Sequence, residues 1–201
     1  RCIPLDGPEP ALMTASRLVQ DDLVLMRPGE ADGYRLVAAS LCFPSAWSLA
    51  EKFGTSLDGL HAAVPGYQDR LAVRMKRIFD GLKPDVIVER LNWSIYPDDE
   101  RHHPESKERP RDWFGADRDA FVRVERQTLR RLPVSGDVLF TIKILVDPFA
   151  AFETHPDGAR LAGSLREQIL SLDPEQLRYK NLQDHRDLVA AELARIAGAA
   201  R

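Results

Sequence analysis

The stretch LHAAVPGYQDRL, residues 60–71, sets a single histidine, His61, among small apolar residues just ahead of the Pro65-Gly66 break. Imidazole seeks a hydrogen bond or a ligand, and its neutral form is a common metal ligand. The residue alone fits two readings: a histidine that solvates the edge of a helix, or a metal or cofactor ligand at the mouth of an apolar pocket. A second group with chemistry is Glu125 and Gln127, polar residues two apart within a run of strand formers. His102 and His103 stand beside Asp98, Asp99 and Glu100 and read either as a weak zinc site or as a solvated loop. His155 and His185 lie in polar contexts expected at a helix entry and on a helix surface. Cys2 and Cys42 make neither a CxxC pair nor a disulfide framework, which suits a reducing compartment.

The elements that must position these groups follow from patterning. Residues 1–20 read as a lead-in, and the runs 21–28 and 33–40 flank GEADG as a hairpin. SLAE (48–51) has the form of a capping box opening a short helix that Gly54 stops. TSLDGLHAAVPGY is a second short helical stretch, ended by Pro65 and Gly66. Leu71, Met75, Ile78, Phe79 and Leu82 recur at helical spacing, giving an amphipathic helix over 68–82. Residues 85–97 read as a strand with Ile87, Glu89, Leu91, Trp93 and Ile95 on one face, and 98–112 as a solvated loop.

Two long strand-forming runs within 121–148 flank Pro133-Val134-Ser135-Gly136, a four-residue hairpin turn. That turn pairs Leu129 with Phe140, Gln127 with Ile142 and Glu125 with Ile144. Glu125 and Gln127 then point inward and Arg126 outward. The inward face serves a bound ligand, or is covered by C-terminal helices, or carries a Glu125 that simply pairs with a neighbouring arginine. From residue 157 the chain turns helical, with Asp173-Pro174 as a cap and first turn, and Leu188, Ala191 and Ile196 on a last amphipathic helix.

The order of elements gives an α+β fold. We expect a lead-in at 1–20, a domain at 21–150, and a helical extension at 151–201 packed on that same domain. At 201 residues, 44% hydrophobic and 29% charged, the chain is long enough for a substantial core. A formal net charge of -3 provides no basic field for nucleic acid or anionic membrane. Arg123, Arg126, Arg130 and Arg131 are interleaved with apolar residues and read as strand. No 18-residue apolar run and no signal pattern occur, so a cytoplasmic protein is expected.

CFPSAWSLAEKFG (42–54), LHAAVPGY (60–67), LNWSIY (91–96) and above all RVERQTLRRLPVSGDVLFTIK (123–143) resemble the haem-dependent oxidative N-demethylase family. The resemblance covers about residues 20–148, with the C-terminal helices included. It implies a PAS-like antiparallel sheet with short helices over one face, and a b-type haem that oxidises a small amine with dioxygen. Electrons would come from flavin and iron–sulfur centres in partner subunits. His61 would then be the axial iron ligand, without covalent attachment since CxxCH is absent. Ala63 stands where the family pattern His-x-Pro-Val-Pro has its first proline, which loosens this loop.

On the same resemblance Glu125 and Gln127 are catalytic candidates beside a cationic amine. Tyr67 and Trp93 would line the cofactor pocket, although an aromatic in an apolar strand also reads as plain core. Arg126 would meet a haem propionate if the register slips. The alternatives are a haem-PAS gas or redox sensor without turnover, and a cofactor-free PAS-like binding module. The chain carries no kinase, cyclase or DNA-binding motif that a sensor would drive. It also lacks GxGxxG, a P-loop and a cysteine cluster, so a redox partner would have to supply electrons.

Overall fold

The computed structural model describes residues 3–29, 33–45, 48–104 and 119–199. Five strands form one antiparallel sheet: β1 (Asp22–Pro28), β2 (Tyr34–Ser40), β3 (Val88–Tyr96), β4 (Phe121–Arg131) and β5 (Val138–Pro148). Their order is β2-β1-β5-β4-β3, and with the helices it gives the α+β antiparallel architecture expected from the sequence. Between β2 and β3 lie α1's successors α2 (Leu49–Lys52), α3 (Leu57–Leu60) and α4 (Ala72–Gly81), α1 itself (Ala11–Ser16) preceding β1. After β5 come α5 (Ala150–Thr154), α6 (Gly158–Leu170), α7 (Pro174–Tyr179) and α8 (Arg186–Ala199). No helix among the described residues is long and apolar enough to cross a membrane.

The β4–β5 hairpin closes as its turn residues dictate. Leu132 N–H donates to the Asp137 carbonyl at 2.8 Å, and Gly136 N–H to the Leu132 carbonyl at 3.0 Å. Gly136 sits at φ 73°, where a Cβ would be strained. Thr128 and Thr141 hydroxyls meet at 2.8 Å, two points in the same register. Glu125 and Gln127 therefore share a face with Ile144 and Ile142. Arg131 secures the turn: Nη1 donates to the Gly136 carbonyl, Nε to the Leu82 carbonyl, and Nη2 to the Phe79 carbonyl and the Tyr34 hydroxyl. One guanidinium thus caps the end of α4 and ties it to the hairpin.

The described residues fall into two compact units. The first takes those within 1–92, 101–106 and 125–144. Its core joins Val24, Met26, Leu36 and Val138 of the sheet to Leu57 of α3, Phe79 of α4 and the following Leu82. The second takes those within 93–100, 107–124 and 145–201, around Ile95, Phe149, Ala162, Ile169, Val189 and Leu193.

Several local expectations change in the structure. Ser48 precedes α2 but makes no side-chain cap, so SLAE is not a capping box there. Ser56 caps instead, accepting Gly59 N–H at 3.2 Å at the start of α3. The helix expected over 68–82 begins at Ala72, because Tyr67–Leu71 forms a wider π-helical turn. Leu91 of β3 is 66% exposed on the uncovered face of this edge strand, and Ile87, which precedes the strand's start at Val88, is exposed too.

On α8 the buried stripe is Val189, Leu193 and Ile196, whereas Leu188 is 53% exposed. The first apolar residue in the run misled the phase. His185, expected on a helix surface, is 7% exposed. Asp173 does form a full capping box with Gln176, with Pro174 at the first helical position. Cys2, Trp47 and most of the polar 98–112 stretch lie outside the described residues.

Asp137 carries a testable consequence. Its buried carboxylate accepts Nε and Nη2 of Arg27 at 3.0 Å each, linking the turn to β1. The hydrogen bond and charge of Arg27 hold the Asp137 carboxyl below its ordinary value of 3.8. The stabilisation is complete above that ordinary value and is lost as pH falls through the lowered one. Asp137→Asn should therefore be less stable than wild type at pH 7, and the gap should close in acid, once pH has fallen below the lowered value. Urea unfolding at both pH values measures it, and a gap that persists unchanged in acid would rule out the ion pair as its source.

Candidate functional site

His61 is the residue that closes α3, at φ -103° and ψ 6°, and the α-helix ends at Leu60 rather than running on to Pro65. Turns carry the chain to Gly66, whose left-handed φ of 65° turns it back into the π-helical segment. π-helical turns recur at functional sites because they displace side chains from the regular helical positions. Here the turn places the Tyr67 ring parallel to the His61 imidazole, with centroids 4.9 Å apart and planes 8° apart. Tyr67 is buried and its hydroxyl donates to Asp58 Oδ1 at 2.9 Å. Burial, reinforced by that hydrogen bond, pushes its phenol well above the ordinary value and keeps it protonated.

The imidazole has a defined tautomer. Nδ1 lies 2.8 Å from the Leu57 carbonyl oxygen. A carbonyl only accepts, so Nδ1 carries the proton, and in the neutral ring Nε2 keeps its lone pair. Nε2 makes no hydrogen bond to any described residue. Burial lowers the His61 pKa from 6.5; the Leu57 hydrogen bond opposes this and the Arg90 charge adds to it. A half-buried, neutral imidazole with one nitrogen tied to a backbone carbonyl and the other open is the form that binds a metal. Its neighbours Leu60 and Val64 are partly buried, while Ala62 and Ala63 are exposed.

Glu125 and Gln127 come together on the inward side of β4, with partners on β3. Arg90 Nε donates to Gln127 Oε1 at 2.6 Å. Gln127 Nε2 donates to Glu125 Oε2 at 2.8 Å, and Asn92 Nδ2 reaches the same oxygen at 3.3 Å. Gln127 is buried, Glu125 and Asn92 are half-buried, and Arg90 is exposed. The amide of Gln127 thus stands between a cation and an anion, its orientation fixed by both. Glu125 makes no ion pair with a described residue; only amides contact it.

Arg126, one residue along, points to the opposite face and pairs with Glu89, both about half exposed. Trp93 belongs to the second unit. Its Nε1 donates to Gln168 at 2.8 Å and the Lys180 ammonium lies 4.3 Å from its ring centroid, a cation–π contact. His102 Nδ1 meets the Cys42 carbonyl at 3.1 Å, and no cluster of three or more metal-ligating side chains occurs among the described residues.

Arg90, Asn92 and Asp58 were not legible in the sequence. The alternation of β3 drew attention to its odd-numbered apolar residues, and the pairing of β3 with β4 is set across a long connection rather than a tight turn. The only signal was two polar residues, Arg90 and Asn92, spaced two apart as Glu125 and Gln127 are.

A family model described as "Haem-dependent oxidative N-demethylase, alpha subunit-like" matches residues 2–190. No curated protein matches the chain. Six chains of solved structures match it. One of them, described as "Structure of RsLOV d2 variant", aligns over 89% of this chain and 87% of that chain at 17% identity and a TM-score of 0.37, too slight a likeness to carry an argument.

The His61 geometry makes a direct prediction. In a nitrogen-15 NMR titration, its midpoint should fall below 6.5, and at pH 7 the proton should reside on Nδ1. The neutral form is favoured on folding, so the site contributes stability above the ordinary pKa that declines as pH falls toward the lowered one. A proton on Nε2 at pH 7 would contradict the Leu57 hydrogen bond.

Proposed function

The chain belongs to the haem-dependent oxidative N-demethylase alpha subunit-like family, and from that premise we propose that it is the haem-binding subunit of an enzyme that demethylates a small amine with dioxygen. The observation that supports this reading is the state of His61: neutral, held through Nδ1 by the Leu57 carbonyl, with Nε2 open. The donor chemistry fits a non-covalent b-type haem, whose iron His61 would hold through Nε2. Bound there, haem would supply the activation of dioxygen that oxidises the N-methyl group.

The chain's own residues bind and orient. The Leu57 carbonyl fixes the imidazole tautomer, and the Tyr67 ring, anchored by Asp58, fixes the imidazole plane. Glu125 presents a carboxylate without an ion partner among the described residues, which suits an ammonium substrate. Gln127 aims that carboxylate while held by Arg90. Overall, amine methyl, dioxygen, two electrons and two protons yield the demethylated amine, formaldehyde and water. The electrons would arrive from flavin and iron–sulfur partner subunits in the cytoplasm, because the sequence carries no nucleotide-binding glycine motif or cysteine cluster for either.

Two outcomes test the reading. His61→Ala protein should fold yet retain little haem, and added imidazole should restore a five-coordinate spectrum. An unchanged Soret band and axial-histidine signature in that variant would remove His61 from the iron. The purified chain loaded with haem should not turn over amine with NADPH alone, and steady turnover under those conditions would eliminate the need for partner subunits.

A further inference from the structure

The polar cluster on β3 and β4 holds two opposite charges that do not neutralise each other directly. Arg90 uses only Nε, on Gln127; its Nη1 and Nη2 find no acceptor among the described residues. Glu125 uses only Oε2, on Gln127 and Asn92; its Oε1 likewise accepts from no described donor. Gln127 cannot rotate its amide without losing both contacts, so it acts as a spacer that keeps guanidinium and carboxylate apart. Arg90 on β3 and Glu125 on β4 are diagonal neighbours across the strand pair, roughly 7–8 Å apart. Arg90 also lies close enough to His61 for its charge to act on that imidazole.

We infer that the substrate of this site is a zwitterion, an N-methylated amino acid whose carboxylate pairs with the terminal guanidinium nitrogens of Arg90 and whose ammonium pairs with Glu125. The inference rests on the amine oxidation proposed above and narrows its substrate class. A simple ammonium ion would satisfy Glu125 but would place a like charge near Arg90 and leave the cluster with a net positive charge. A zwitterion engages both open ends and keeps the cluster neutral. Guanidinium presents its donors as a planar fork that matches a carboxylate, which a point charge does not. Arg90 is exposed while Gln127 is buried, so the anionic end of the ligand would lie toward solvent and the cluster would be supported from below.

Calorimetric titration of the haem-loaded chain with N,N-dimethylglycine and with dimethylamine tests this. Wild type should bind N,N-dimethylglycine at least about tenfold more tightly than dimethylamine. Arg90→Gln should abolish that preference, and Arg90→Lys should restore part of it by returning charge without the fork. Glu125→Gln should weaken both ligands by about tenfold to a hundredfold, the range for a charged hydrogen bond. Equal affinity for the two ligands in wild type, no binding of N,N-dimethylglycine, or a preference that survives Arg90→Gln would each overturn the inference. Loss of haem from Arg90→Gln with the preference intact would overturn it too, and would assign Arg90 to a porphyrin carboxylate. If the chain takes up no haem, the reading of His61 fails instead, and the same titrations on the haem-free chain still score the zwitterion preference.

Discussion

The pairing of Leu132 with Asp137 across the 133–136 turn decides which side chains of β4 face the helices of the first unit. Because side chains alternate along a strand, a slip of one residue would send Glu125 and Gln127 to the opposite face and bring Arg126 inward. Three independent contacts hold the register: the turn's own hydrogen bonds, the Thr128–Thr141 hydroxyl pair, and the four contacts of Arg131. Arg131 matters most for the site, because it joins the hairpin to the end of α4. The π-helical turn that carries Tyr67 leads directly into α4, so the sheet's polar cluster and the His61–Tyr67 stack are both referred to one anchored frame.

Within that frame the polar cluster is arranged so that no charge is both buried and isolated. Gln127, the buried member, is neutral and satisfies a donor and an acceptor at once. Its charged neighbours lie toward solvent, where desolvation is smaller. A direct Arg90–Glu125 pair would have satisfied both ions more fully, and it would also have closed the site. The interposed amide leaves each ion with hydrogen-bonding capacity that no described residue uses.

The parts of this arrangement that rest on local sequence were legible. The hairpin turn is four contiguous residues with a glycine at the left-handed position, and from it follow the facing of Glu125, Gln127 and Arg126. The Asp173-Pro174 cap is equally local. Longer-range features were not. Arg90 and Asn92 reach the site only because β3 pairs with β4 after an extended connection, and no short-range rule fixes that register. Ser48 and Ser56 both precede short helices, and only the Cα path decides which hydroxyl meets an amide. Arg123 is 0% exposed beneath the Tyr96 ring, 5.3 Å from its centroid, a placement that a charged residue in a strand pattern does not advertise.

His61 shows how a neighbouring acid can be kept from changing an imidazole's character. Asp58 lies three residues before it, and a carboxylate hydrogen-bonded to Nδ1 would favour the protonated ring and, in a metal complex, make the imidazole a stronger donor. The Tyr67 hydroxyl takes Asp58 Oδ1 instead, and Nδ1 is left to the weaker Leu57 carbonyl. The influence of Asp58 on His61 survives only as a small charge effect, outweighed by burial, and the ring stays neutral. Tyr67 therefore makes two contacts with one side chain: its ring stacks on the imidazole, and its hydroxyl donates to Asp58. The surroundings of the imidazole are thus set from the π-helical turn, through the ring stack and the hydroxyl contact of Tyr67.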